Sequence, residues 1–223
     1  MKVLGIIVAA LIAYFLGTIP VGEWVARLYG KDDLTKTGSG NPGTTNVLRT
    51  MGWLPSLMTL AGDCLKGVLG AWLGRVFGGQ PGMLIAGFCA VLGHDFPVFR
   101  GFNGGKGIAT SLGVTCVICP LVAPILVGIV CILMPLTKMM SVGTLAATLT
   151  YPLWMCLLRP DDLPLTAALI FSLAVMSLSF IRHRANLHRL SRGEENKLDF
   201  GKIAKLSEKY KSFKKRDKGD SYD

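Results

Sequence analysis

Three polar segments of this 223-residue chain hold the residue types that could do chemistry: Gly38–Arg49 (GSGNPGTTNVLR), Gly93–Thr110 (GHDFPVFRGFNGGKGIAT) and Arg182–Glu195 (RHRANLHRLSRGEE). Each arranges Gly, Asn, Ser or Thr around one or two cations. Glycines let backbone N–H groups turn toward one point, and such nests bind anions. A helix starting just after the loop adds its positive end. In the first segment Ser39, Thr45 and Asn46 offer hydrogen bonds and Arg49 a bidentate fork. In the second, Lys106 is a compact ammonium among Gly104, Gly105 and Gly107, which suits a phosphate. In the third, His183 and Asn186 share a helix face, with Arg182 and Arg189 nearby. Together the segments read as a phosphate-binding mouth. Each also has a plainer reading. Glycine-rich loops often serve only as tight turns, and Lys or Arg near helix ends often snorkel and set topology. That plainer reading is adopted for Lys31, Lys36, Arg75, Lys138 and Arg159.

The elements that must position these loops are apolar. The net charge is +10, but residues 182 to 223 hold 13 of the 24 basic and 7 of the 14 acidic side chains. The body before them cannot solvate itself, which excludes an ordinary soluble globule and points to a multi-spanning membrane protein. The apolar stretches are Val3–Ile19, Trp53–Leu73, Met83–Leu92, Ile108–Pro135, Val142–Leu158 and Leu163–Ile181. Met83–Leu92 is short and must borrow from its glycine-rich flanks. Ile108–Pro135 is too long for one span and is interrupted at Cys119-Pro120 and Pro124, so it is expected to divide. The first run lacks a small-x-small cleavage site before Pro20 and reads as an uncleaved helix rather than a signal peptide.

Cytoplasmic loops carry excess Lys and Arg. Placing the basic tail and the Lys31–Arg49 loop inside requires an odd number of crossings. The expectation is therefore an all-α polytopic membrane protein of about seven transmembrane helices. Its N-terminus would be outside and its C-terminus cytoplasmic; five spans with re-entrant stretches is the alternative. Residues 1–198 read as one transmembrane domain and 199–223 as a basic cytoplasmic tail. The tail spaces Leu198, Ile203, Leu206, Tyr210 and Phe213 among lysines, as a helix lying on anionic lipid or as a solvated, frayed end. Nucleic-acid binding is not expected of a membrane-tethered chain.

Other patterns are set aside. The six cysteines lie in apolar runs, and Cys116-x-x-Cys119 has no basic or His neighbour to stabilise a thiolate. Asp32-Asp33 and Asp161-Asp162 lack a third carboxylate at helical spacing, so no metal site is expected. Gly38-x-Gly40-x-x-Gly43 matches a dinucleotide fingerprint without a preceding strand, and Gly105-Lys106 lacks the other P-loop residues. Asp63 and Lys66, three apart inside a span, should pair with each other or face a polar interior.

These segments resemble the PlsY family, bacterial acyl-phosphate:glycerol-3-phosphate acyltransferases of the inner membrane. The first motif, S-G-N-x-G-x-T-N-x-x-R, is met by Ser39-Gly40-Asn41, Gly43, Thr45-Asn46 and Arg49. A G-D-x-x-K-G element appears at Gly62–Gly67. The second motif runs from Gly93-His94 through Phe102 and Gly104-Gly105-Lys106-Gly107 to Ala109-Thr110. The third is met by Arg182-His183, Asn186, Arg189-Leu190, Gly193 and Glu195, with Leu187 in place of the usual Ile.

The resemblance implies transfer of a fatty acyl group from acyl phosphate to the sn-1 hydroxyl of glycerol 3-phosphate, without cofactor or metal. The products would be lysophosphatidate and inorganic phosphate, the first acylation of bacterial phospholipid synthesis. It implies catalytic roles for His183, Lys106 and Ser39, and substrate-phosphate binding by Thr45, Asn46, Arg49, Gly104, Gly105 and Asn186. His183 would position the hydroxyl or take its proton; alternatively the donor's phosphate takes it. The implied partners are glycerol 3-phosphate, acyl phosphate and membrane lipid, at a site facing the cytoplasm. The H-x4-D dyad of acyl-CoA-dependent enzymes is absent, since Phe99, His188 and Gly193 follow His94, His183 and His188 at that distance. The competing expectation is an anion or phosphate-ester transporter, which also uses broken helices and helix-end anion sites.

Overall fold

The computed structural model describes residues 2–31, 33–34 and 36–216, with side chains to Tyr210. Asp32 and the tail side chains from Lys211 onward, Phe213 among them, lie outside the described residues. Among the described residues all regular structure is helical: α1 (Lys2–Gly17), α2 (Val21–Leu28), α3 (Thr44–Met51), α4 (Trp53–Asp95), α5 (Ile108–Ile118), α6 (Val122–Thr137), α7 (Met140–Leu158), α8 (Leu165–Arg182), α9 (Arg184–Ser191) and α10 (Phe200–Arg216). A single 3₁₀ turn, Val98–Arg100, follows α4.

Among the described residues, four stretches are long and apolar enough to cross a bilayer: Lys2–Leu28, Trp53–Arg100, Met140–Leu158 and Leu165–Arg182. Their outward residues are apolar too. Val3, Leu4, Leu11 and Phe15 project from α1, and Leu149, Leu153 and Leu157 run down one side of α7. Such faces are unfavourable in water and matched in hydrocarbon, where helices satisfy their own backbone groups. The molecule is an all-helical membrane protein.

At 43 residues α4 is too long for one straight crossing, and Gly79 (φ 63°, ψ −148°) breaks it. Only glycine takes that backbone without strain. The two arms fold back on each other: a Cβ on Gly74 would overlap the Gly82 carbonyl, and one on Gly82 the Gly74 carbonyl. The short Met83–Leu92 stretch thus lies in an arm reaching from residue 80 to residue 95. The long stretch after Ile108 divides as expected, with Cys119 (φ −147°) ending α5 before Pro120.

Two units make up the molecule. The first comprises the chain up to Ile19 and Asp63–Lys197; the second comprises Pro20–Gly62 and the segment from Leu198. In the first unit small residues let backbones touch, which supplies packing where lipid offers no hydrophobic drive. A Cβ on Gly93 would overlap the Tyr14 carbonyl, and one on Gly113 the Cys64 carbonyl. Val91, Val114, Ile118, Tyr151, Met155 and Phe171 fill the interior, and Thr115 donates to the Tyr151 hydroxyl at 2.9 Å. The second unit is built on Val25, Tyr29, Leu34, Val47 and Met51. Its α10 packs on α3, and both Leu198 and Ile203 are buried. Leu198 and Ile203, on the apolar side of the tail, therefore meet protein rather than lipid or water.

Candidate functional site

In the second unit the loop before α3 is held by Asn46. Its amide donates to the carbonyls of Leu34 (3.1 Å) and Thr37 (3.0 Å) and accepts the Ser39 N–H (2.8 Å). All its polar capacity on this loop is spent shaping it, and the side chain is buried. Gly38 (φ 64°) closes against it, where a Cβ would overlap Asn46 Oδ1. Asn41 turns the chain once more by accepting the Gly43 N–H at 2.9 Å. The result is an exposed Ser39 ahead of α3, whose first residues follow an extended Gly43 (φ −83°, ψ 172°) with no side-chain cap. A helix start without a cap leaves N–H donors for an anion. Thr45 and Arg49 lie on this helix, half-buried.

In the first unit the remaining expected residues come together. Lys106 Nζ donates to Asn186 Oδ1 at 2.6 Å. Asn186 Nδ2 donates to Glu195 Oε1 at 2.7 Å, and Ser141 Oγ donates to the same oxygen at 3.0 Å. Arg189 Nε donates to Glu195 Oε2 at 2.9 Å. A buried carboxylate thus fixes the direction of the Asn186 amide, which in turn points its oxygen at the ammonium.

The loop presenting Lys106 is clamped from α8. Arg182 donates through Nε to Gly105 O and through Nη2 to Gly104 O, each at 2.9 Å, and its guanidinium stacks 4.9 Å above the Phe96 ring. The Gly105 N–H donates to His94 O at 3.0 Å. A Cβ on Gly105 would overlap the His94 ring, and one on Gly104 the His94 carbonyl. These two glycines therefore have a packing reason. Behind them, Asp63 Oδ1 lies 2.9 Å from Lys66 Nζ and 3.5 Å from His94 Nδ1, so the expected Asp63–Lys66 pair forms. Cys119, of the Cys116-x-x-Cys119 spacing, donates its thiol to Leu158 O.

His183 sits at the junction of α8 and α9, buried. Its Nδ1 lies 2.9 Å from Ser179 O. A carbonyl oxygen only accepts, so Nδ1 carries the proton and Nε2 the lone pair. Nε2 faces Thr144 Oγ1 at 3.4 Å, whose own proton goes to Met140 O at 3.1 Å. Burial, reinforced by the Lys106 charge, pushes the imidazole down to about 4, against the opposing pull of the Ser179 hydrogen bond and Glu195. The ring is neutral at pH 7, with its lone pair on Nε2.

Sequence reasoning named Lys106, Asn186 and His183, with Arg182 nearby and Glu195 as a motif position, but not the tasks of Arg182 and Glu195 in orienting Lys106 and its loop. Ser141, on an apolar helix, gave no signal.

The chain is similar to known proteins along most of its length. The model of the family described as glycerol-3-phosphate acyltransferase matches residues 7–193. A Jannaschia protein named glycerol-3-phosphate acyltransferase is 41% identical over 189 residues, 85% of this chain and 91% of its own. One of the same name from Enterococcus faecalis is 37% identical over 210 residues, 92% of this chain and 97% of its own. The crystal structure of PlsY (YgiH), an integral membrane glycerol 3-phosphate acyltransferase, in its glycerol 3-phosphate form, superposes with a TM-score of 0.81 at 32% identity, covering 89% of this chain and 98% of that one. Its lysophosphatidic acid form gives 0.79.

Proposed function

This chain belongs to the glycerol-3-phosphate acyltransferase family, and from that premise we propose that it moves a fatty acyl group from an acyl phosphate to the sn-1 hydroxyl of glycerol 3-phosphate. The hydroxyl oxygen forms a bond to the acyl carbonyl carbon, the bond to the phosphate oxygen breaks, and inorganic phosphate leaves. Lysophosphatidate remains in the bilayer. That leaving group is stable near neutral pH, so positioning and charge stabilisation can carry the rate without a strong general acid. Relatives named glycerol-3-phosphate acyltransferase weigh against the transporter expectation.

In this reading Lys106 and Arg49 hold phosphate charge. Ser39, Thr45 and the start of α3 supply hydrogen bonds, with Asn46 shaping their loop. Gly104 and Gly105 form the bend that presents Lys106, and Asn186 aims it. His183 takes the hydroxyl proton on Nε2 or orients the hydroxyl while the departing phosphate takes it. The observation that carries the reading is the hydrogen-bonded string from Lys106 through Asn186 to Glu195, which aims one ammonium from a glycine loop. Such fixed cations are what a reaction between a phosphate ester and an acyl phosphate, both anionic, requires.

The finer topology in this proposal is seven crossings, by α1, the two arms of α4, and α5 to α8. The N-terminus is outside, and the C-terminus and active site are on the cytoplasmic side of the bacterial inner membrane. The excess of Lys and Arg in the loops assigned inside supports it.

Purified protein in detergent, given an acyl phosphate and labelled glycerol 3-phosphate, should release lysophosphatidate and inorganic phosphate in equal amounts. Lys106→Ala should abolish turnover while the protein still inserts. Transfer from acyl-CoA but not from acyl phosphate would overturn the donor assignment, and near-normal turnover in Lys106→Ala would remove that residue from the site.

A further inference from the structure

The helix α10 lies past residue 193, where the match to the family model ends. Within the second unit it is seated on α3. The seat is specific. Gly52, which ends α3 at φ 86°, has the Ser207 backbone where its Cβ would be, with N at 2.8 Å and Cα at 2.9 Å. Ser207 Oγ accepts the Trp53 N–H at 3.0 Å while donating to Ile203 O at 2.8 Å. That N–H opens the helix following α3 and belongs to the orphan donors every helix start leaves. Ile203 is 1% exposed and Leu198 2%. The Tyr210 ring stands edge-on to Tyr29, 5.8 Å between centroids and 80° between planes. At its own start α10 is capped by Asp199, which accepts the Lys202 N–H at 2.9 Å.

An eight-residue helix is too short to hold itself, and α3 depends on what packs against it. It carries Thr45, Asn46 and Arg49, and through Asn46 it also sets the loop bearing Ser39. We propose that α10 is a positioning helix for the phosphate-binding segment: its docking at Gly52 and Trp53 fixes the far end of α3, and so the reach of Arg49 and Thr45. This rests on the reading of Arg49 and Thr45 as phosphate ligands given above. Losing the helix should loosen binding of glycerol 3-phosphate more than it slows the chemistry.

Four proteins test this: the full chain, Ile203→Asp, a chain ending after Lys197, and Arg49→Ala. Each is assayed for kcat and for KM toward glycerol 3-phosphate and an acyl phosphate, with hydrogen exchange followed in Thr44–Met51 and in Met140–Leu158. The expected result for Ile203→Asp and the shortened chain is a roughly tenfold higher KM for glycerol 3-phosphate, with kcat within about twofold. Exchange should rise in Thr44–Met51 and stay unchanged in Met140–Leu158. Faster exchange in α3 with an unchanged KM overturns the positioning role. Unchanged exchange overturns the docking itself. A parallel fall of kcat with general loss of exchange protection makes α10 a stabilising element only and overturns the proposal as well. If the shortened chain fails to accumulate, Ile203→Asp alone decides by the same readouts. Should Arg49→Ala keep normal constants, the ligand reading fails instead, a result distinguishable from all of these.

Discussion

The string Lys106–Asn186–Glu195 can be tested by reversing the direction of its middle bond. Asn186→Asp sets a carboxylate 2.7 Å from the Glu195 carboxylate, where the structure has an N–H. Glu195→Gln removes the charge, and its amide must then turn a donor either toward Arg189 or toward Asn186 Nδ2. In both single variants a buried hydrogen bond to a charged group is lost, worth about 1.5–3 kcal/mol. If that bond aims Lys106 in the transition state, kcat/KM should fall about 10- to 150-fold in each. The double substitution restores the pattern, since the amide placed at 195 donates to the carboxylate placed at 186. Its thermal stability in detergent should recover most of either single loss, short of the parent by about 1 kcal/mol for the Ser141 hydroxyl, which loses its acceptor to the new N–H while Arg189 keeps the remaining amide oxygen. Additive losses in the double variant would refute the idea that these two residues act as one oriented unit.

Other consequences are simpler. Because His183 is held down to about 4, the unfolded chain takes up its proton first as pH falls below about 6.5. The folded protein should therefore lose stability between about pH 6.5 and 4, and His183→Asn should flatten that part of a pH series of melting curves. Arg182→Lys keeps the charge but gives up the two-pronged hold on Gly104 and Gly105, so kcat/KM should drop about tenfold with the fold intact; parental kinetics would dismiss the clamp. Gly113→Ala drives a methyl into the Cys64 carbonyl and should lower stability by about 1–3 kcal/mol, whereas Gly128→Ala, with nothing within 4 Å, should be silent. Equal effects from the two would dispose of the close-packing account of α4 against α5.

What could be read from the chain beforehand followed from local physics. The break before Pro120 was legible because proline removes a donor wherever it falls. The Asp63–Lys66 pair was legible because three residues on a helix bring charges together in a medium that forbids solitary ones. The fold-back between Trp53–Leu73 and Met83–Leu92 was legible as two apolar stretches with a glycine-rich join, but the turning residue was not, because glycine marks many turns and only the meeting of Gly74 with Gly82 selects Gly79. The seating of α10 on α3 was also hidden. Its partners Trp53 and Ser207 are 154 residues apart, and a lysine-rich helix with a thin apolar side looks the same whether that side meets lipid, water or protein. Glu195 was visible as a motif letter, but its task depends on which way the Asn186 amide, nine residues away, must face, and that is set only in three dimensions.

The choice of an amide at 186, rather than a second carboxylate, carries a last consequence. Asn186 passes direction from Glu195 to Lys106 but no charge, since its oxygen is neutral and the carboxylate stays one residue further off. A phosphate must compete for the ammonium against whatever already holds it, and an amide oxygen is a weaker competitor than a carboxylate. The double variant Asn186→Asp with Glu195→Gln therefore separates geometry from charge. It rebuilds the hydrogen-bond pattern while moving the negative charge directly onto Lys106. Stability should recover, yet KM for glycerol 3-phosphate should stay raised about tenfold or more, and added salt should not narrow the gap, because the pair is sheltered from screening. Full recovery of KM along with stability would mean that Lys106 does not meet substrate charge, and its place in the chemistry would have to be given up.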